Sequence, residues 1–163
     1  MSPHEFSIAL RIRHPSIDPT AITRKLGVAP QHAWRAGEPR TIEEGEVGSA
    51  FYRETYWVGL LPPRPWTPTI GPFVPATSAR VVEAARNVAT HPQVALYFTL
   101  LQMKRAAGFW REFAEQGGTI DCLVQVHRAE RFQLDLSQAL LVALVELKIT
   151  LSIEVDAGLR AAA

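Results

Sequence analysis

One cysteine in 163 residues excludes an internal disulfide, and with it the stapled scaffolds of small secreted domains. That residue, Cys122, lies in an apolar alternation, Ile120-Asp121-Cys122-Leu123-Val124-Gln125-Val126, with no histidine beside it. It is expected to be a buried small hydrophobe and not a catalytic thiol. Charge of one sign is missing as well. Lys+Arg 17 against Asp+Glu 16 leaves +1, mixed along the chain without a basic or acidic tail. No net field therefore draws nucleic acid or an anionic membrane. No uninterrupted apolar run approaches a membrane span, and the start lacks a basic stretch followed by an apolar one. These absences lead us to expect a cytoplasmic protein that neither enters a membrane nor binds nucleic acid.

Signatures of chemistry are equally scarce. His4, His14, His32, His91 and His127 show no pairing within one helical turn and no cysteine or carboxylate at zinc-ligand spacing. They are expected at exposed or turn positions, with His14 and His127 at opposite rims of an antiparallel pairing, so no metal site is expected. No serine occupies a Gly-x-Ser-x-Gly elbow. Gly45 and Gly48 are not followed by Lys-Ser/Thr and make no phosphate loop. Glu43, Glu44 and Glu46 read as a solvated loop run. The pair Lys104-Arg105 is too short for a nucleic-acid footprint. No catalytic residue, cofactor or metal ligand is assigned.

What is present is structural punctuation. With 47% hydrophobic and 20% charged residues the chain is globular, one domain over residues 1–163. Residues 6–13 alternate as a strand. Asp18 is placed as an N-cap, Pro19 at the first helical position, and Ile17 and Ile22 at staple spacing; Gly27 follows Leu26 as a left-handed stop. Pro30 then forces an extended segment over 28–34 toward Trp34. Residues 37–48 read as a loop and 50–61 as a strand. In that strand Phe51, Arg53, Thr55 and Trp57 share one face, and Tyr52, Glu54, Tyr56 and Val58 the other.

The proline-rich stretch 62–75, with Trp66, Ile70, Phe73 and Val74, and a helix capped by Ser78 make an ordered insertion over 62–92. Residues 93–116 carry Val94, Tyr97, Phe98, Leu101, Phe109, Trp110 and Phe113 at near-helical spacing, expected as core, with a break near Ala106 and a stop at Gly117-Gly118. A strand over 119–127, a helix from Asp135 to Leu147 and a strand over 149–155 close the domain, and the tail 157–163 is expected to fray. The order βαββ, helices, βαβ predicts an α+β two-layer sandwich, ferredoxin-like, with a mostly antiparallel sheet and helices on one face.

Asp18-Pro19, Leu26-Gly27, Pro30, Trp34 and Gly37, in that order after a strand, resemble the opening of a bacterial family, domain of unknown function 4279. The strand ending near Trp57 and the helix–strand unit over 134–155 also fit it, about two thirds of the chain in all. The resemblance breaks over residues 61–91 and lacks the aromatic residue expected near the end of the last strand. It implies a fold and a bacterial source and no activity.

The remaining candidate is a surface. Trp34, Arg35, Gly37, Arg40 and Trp57 can form an aromatic–cationic patch, since tryptophan and arginine dominate interface hot spots. The competing expectation pairs Trp34 with Trp57 across two strands of the core, with Gly37 serving backbone geometry. The function expected is a non-catalytic module that binds a protein partner. A regulator holding a small anionic metabolite through Arg35 and Arg40, and an enzyme with a pocket between sheet and helices, are the alternatives. Oligomeric state stays open.

Overall fold

Along β1 (Phe6–His14) the inward parity is unbroken: Phe6, Ile8, Leu10, Ile12 and His14 are all buried. In the computed structural model, which describes residues 6–41, 47–61, 92–127 and 133–156, this strand is the centre of the sheet. After it come α1 (Pro19–Leu26), β2 (His32–Trp34), β3 (Pro39–Thr41), β4 (Val47–Phe51) and β5 (Thr55–Leu61). Then follow α2 (Pro92–Lys104), α3 (Ala107–Glu115), β6 (Thr119–His127), α4 (Gln138–Glu146) and β7 (Ile149–Asp156). The five-stranded sheet runs β2-β5-β1-β6-β7, and β3-β4 form a separate two-stranded ribbon. Among the described residues only the β6·β7 pairing is parallel, as a strand–helix–strand crossover through α4 requires. The fold is α+β with a mostly antiparallel sheet.

The core lies between one face of this sheet and the helices. Leu10, Ile12, Trp57, Cys122 and Val124 meet Ile22 and Leu26 of α1, Leu96, Leu100 and Met103 of α2, Trp110 and Phe113 of α3, and Leu140, Ala143 and Leu144 of α4. Helix α1 is built as its punctuation prescribes. Asp18 Oδ1 accepts from the Thr20 N–H at 2.8 Å and the Thr20 hydroxyl at 2.6 Å, and Gly27, at φ 65°, returns its N–H to the Thr23 carbonyl at 2.7 Å. The expected break falls between α2 and α3 at Arg105 and Ala106. Gly117, at φ 88°, and Gly118 close α3 by bonding the Ala114 and Phe113 carbonyls.

Several expectations are corrected. Residues 37–48 are not simply a loop, because β3 and β4 pair there, with the Tyr52 N–H bonded to the Glu38 carbonyl at 2.9 Å. The buried stripe of α2 is Leu96, Leu100 and Met103; Tyr97 and Leu101, placed inward by the sequence pattern, are exposed. The last helix begins after Ser137, whose hydroxyl caps the Leu140 N–H at 3.3 Å, and not at Asp135. His14 is buried, while His32 and His127 are exposed. The insertion expected over 62–92 lies outside the described residues except for Pro92, which opens α2. Glu43, Glu44, Glu46, His4, His91 and the tail 157–163 lie outside them too.

Candidate functional site

The register of β2 on β5 decides where the tryptophans go. Trp34 stands opposite Tyr56, and Ala33 opposite Trp57. Neighbouring residues of a strand face opposite ways, so Trp34 joins Tyr56 on the back of the sheet while Trp57 points into the core. Trp57 is fully buried and its indole Nε1 donates to Thr23 Oγ1 at 3.0 Å. The expected Trp34–Trp57 core pair does not form, and Trp57 is no part of a surface patch.

Trp34 instead stacks on two tyrosines. Its ring centroid is 4.5 Å from Tyr56 and 4.7 Å from Tyr52, with interplanar angles of 27° and 17°. The Arg13 guanidinium lies 5.8 Å from the Tyr56 centroid, and that of Arg40 lies 5.5 Å from Tyr52. The result is a five-membered ladder, Arg13–Tyr56–Trp34–Tyr52–Arg40, with a cation at each end. Its rings are half-buried and both arginines are exposed. Stacking of this kind is worth about 0.5–1.5 kcal/mol per aromatic pair and fixes ring orientation.

Two backbone devices hold the ladder. Gly37, at φ 84°, turns the chain after β2 and donates its N–H to the Tyr52 carbonyl at 2.8 Å, which brings Tyr52 alongside Trp34. Thr55 is fully buried; its hydroxyl donates to the Ile17 carbonyl at 2.7 Å and accepts from the Ala36 N–H at 3.1 Å. One side chain thus ties the turn before α1 and the turn after β2 to the start of β5.

The cations differ in their availability. Arg13 has only a loose contact to Glu54, at 3.9 Å between exposed groups, and Arg40 has no ion pair among the described residues. Arg35 turns toward α1, where its guanidinium is 3.9 Å from the Asp18 carboxylate, and so does not join Arg40 on the ladder. Arg11 is committed elsewhere on the back face. Its Nε donates to Asp121 Oδ2 at 2.8 Å, a second guanidinium nitrogen pairs with the same oxygen, and the Ser152 hydroxyl donates to Asp121 Oδ1 at 2.7 Å.

The sequence analysis singled out Trp34, Gly37 and Arg40, which lie in or beside this ladder, and passed over Arg13, Tyr52 and Tyr56. The available signal was parity, which already placed Tyr52 and Tyr56 on the face away from Trp57. No group of three or more His, Cys, Asp or Glu able to hold a metal occurs among the described residues. Cys122 is inert by burial, which together with the neighbouring Asp121 pushes its thiol pKa up to about 12. An open depression of about 510 Å³ lies between α2 and the segment leading into α4, lined by Gln93, Tyr97, Leu134, Asp135, Leu136, Ser137 and Leu140. Its carboxylate, Asp135, is held by the Gln133 amide at 3.0 and 3.2 Å, and it does not sit between sheet and helices. No helix among the described residues is long and apolar enough to cross a membrane.

Residues 4–66 match the family described as domain of unknown function (DUF4279), and over that span the chain resembles it. The match takes in β1 to β5, and with them every member of the ladder. It ends before the closing helix–strand unit that the resemblance was expected to include. No curated protein and no solved structure matches the chain.

Proposed function

We propose that this chain is a non-catalytic protein-binding module and that the Arg13–Tyr56–Trp34–Tyr52–Arg40 ladder is its recognition surface. The observation that carries the reading is how the ladder ends. A guanidinium laid on an aromatic face keeps its N–H edges turned outward, the geometry that takes a carboxylate in two bonds. With three rings between them, and successive spacings of 5.8, 4.5, 4.7 and 5.5 Å, the two arginines stand at most about 20 Å apart. An extended chain of up to about six residues covers a span of that limit. The partner is accordingly an extended acidic segment of another protein, with carboxylates near both ends and apolar contacts between. A small metabolite held by Arg35 and Arg40 has less support, because the Arg35 guanidinium lies on the α1 side, near Asp18, while that of Arg40 lies over Tyr52. The order and senses of β1, α1, β2, β5 and β6 favour a ferredoxin-like frame for this surface, and we place the protein in a bacterial cytoplasm.

The test is a set of peptides carrying two carboxylates five to seven residues apart, titrated calorimetrically. Arg13→Ala and Arg40→Ala are each expected to weaken binding by roughly 30-fold, the loss of about 2 kcal/mol that a hot-spot arginine contributes. Lysine at either position restores only part of it. Wild-type affinity in either variant, or inorganic phosphate bound with the same dependence on Arg40 alone, overturns the reading.

A further inference from the structure

Beneath the ladder, on the inward side of the sheet, runs a second chain of contacts in step with it. His14, Thr55 and Ala36 follow Arg13, precede Tyr56 and precede Gly37, so each adjoins the ladder or its turn in sequence. His14 and Thr55 are direct partners in the β1–β5 register and both are buried. They therefore stand back to back with Arg13 and Tyr56, which pair on the other face.

The links are hydrogen bonds. His14 Nδ1 accepts from the Ser16 and Ile17 N–H groups at 3.0 and 2.9 Å. The carbonyl of the same Ile17 accepts from the Thr55 hydroxyl at 2.7 Å, and Thr55 Oγ1 accepts from the Ala36 N–H at 3.1 Å. Ala36 leads into Gly37, whose N–H holds the Tyr52 carbonyl at 2.8 Å. A path thus runs from His14 through Ile17, Thr55 and Ala36 to Gly37 and Tyr52, and ends on a ring of the ladder.

Two donors on Nδ1 require a neutral imidazole with its proton on Nε2. Nε2 is buried without a bond among the described residues, and the ring lies against Phe113, centroids 4.9 Å apart. A second proton needs the Nδ1 lone pair that Ser16 and Ile17 share, so it enters only when their turn lets go. No charged group among the described residues is placed to hold the cation. Glu54 meets Arg13 on the back of the sheet, Asp121 of β6 is taken by Arg11, and Asp18 lies with Thr20 and Arg35. From α3 the ring is faced by Phe113 and the neutral Gln116, while Arg111, Glu112 and Glu115 are exposed.

We propose that His14 is a proton-sensitive latch on the recognition ladder: its neutral ring holds, through Ile17 and Thr55, the turn at Ala36 and Gly37 that seats Tyr52 against Trp34, and protonation frees that turn. What the latch regulates rests on the reading of the ladder as a recognition surface. The open form, with its ring in water, takes the proton, so the latch is complete above pH about 6.5 and weakens as pH falls. Reciprocally, a segment bound to the ladder resists protonation of His14.

Amide hydrogen exchange reads the open form even when it is scarce. Corrected for intrinsic rates, protection at Ile17, Ala36 and Gly37 should fall by up to about tenfold per pH unit between pH 6.5 and 5, through an opening that leaves the β6 core amides closed. In His14→Asn, whose amide oxygen can take the same two N–H groups, the three should lose this dependence. Thr55→Val cuts the path, so Ile17 should keep the dependence while Ala36 and Gly37 lose it; Thr55→Ser should keep it at all three. A peptide with two carboxylates five to seven residues apart should slow exchange at Ala36 and Gly37 at pH 5.5, where its charges and the arginines are still ionised. Absence of peptide binding at pH 7.5 overturns the ladder reading, and the exchange alone then decides the latch. Protection at Ala36 and Gly37 independent of pH in the wild type, an equal loss in the β6 core, or a dependence that survives His14→Asn or Thr55→Val overturns the latch.

Discussion

Gly59→Ala should destabilise this protein, against the ordinary rule for such a change. Gly59 lies inside β5 with a negative or extended backbone angle, where replacing glycine by alanine normally gains about 0.5–1 kcal/mol from reduced chain entropy. Here the indole of Trp57 lies across the glycine. An added Cβ would stand 2.6 Å from Trp57 Cη2 and 3.1 Å from both Cζ2 and Cζ3. The ring has nowhere to go, because it is fully buried and tethered through Nε1 to Thr23 Oγ1 at 3.0 Å. Overpacking of this kind costs about 1–3 kcal/mol, so the net loss should be about 1–2 kcal/mol. Urea denaturation followed by far-ultraviolet dichroism measures it as a lower midpoint at unchanged slope. Trp57→Phe removes the three crowded atoms, and in that background Gly59→Ala should be neutral or stabilising. A higher midpoint in the wild-type background, or the same penalty in both backgrounds, refutes the reasoning.

Thr55→Val keeps the shape but strands the Ile17 carbonyl and the Ala36 N–H, and should cost about 1–3 kcal/mol in the same titration. His14 accepts at Nδ1 from the Ser16 and Ile17 N–H groups at 3.0 and 2.9 Å, so it is neutral in the fold and its protonation would expel both donors. Burial lowers its pKa below 6.5, partly opposed by Gln116, which lies nearby but outside bonding geometry to Nε2. The unfolded chain then binds the extra proton, so stability is full above pH 6.5 and falls with decreasing pH by up to about 1.4 kcal/mol per unit until the folded pKa is reached. His14→Asn, whose amide oxygen can take the same two N–H groups, should flatten that slope between pH 5 and 7. Cys122, with its thiol pKa at about 12, should react with a disulfide reagent at pH 8 only as fast as the protein opens, and at once in 6 M guanidinium. Asp18→Ala should lower the urea midpoint by removing the two bonds from Thr20, with no change in slope.

Much of the frame was legible because its determinants are local. Asp18, Pro19 and Gly27 act within one turn of themselves, and the cap, the start and the left-handed stop of α1 appear where the residues place them. His14 was expected at an exposed or turn position, but β1 runs one residue further than expected and carries it inward in step with Ile12 and Leu10. The site was half legible for a different reason. Whether Trp34 meets Trp57 or Tyr56 depends on the register of β2 on β5, and a slip of one residue exchanges the two faces. That register is set by contacts remote in sequence, among them Gly37 to Tyr52 and Thr55 to Ile17 and Ala36. Arg13 was missed because its partner Tyr56 is brought to it by the β1–β5 pairing. The buried stripe of α2 was misassigned because apolar residues occupy nearly all of its faces, so periodicity alone could not select one.

The central place of β1 has a consequence for how the chain is made. Its two neighbours in the sheet come from very different times in synthesis. β5 follows by residue 61, but β6 supplies the other edge, with Arg11 meeting Asp121 across 110 residues. At about 5–20 residues per second, the nascent protein carries one bare edge of β1, with its alternate Phe6, Ile8, Leu10 and Ile12, for about 5–20 s after that strand is synthesised. The strand–helix–hairpin unit that leaves the ribosome before β6 is therefore a half-sheet waiting for its middle to be closed. The interval in which it is open to wrong pairing is set by translation speed and by whatever holds the emerging chain.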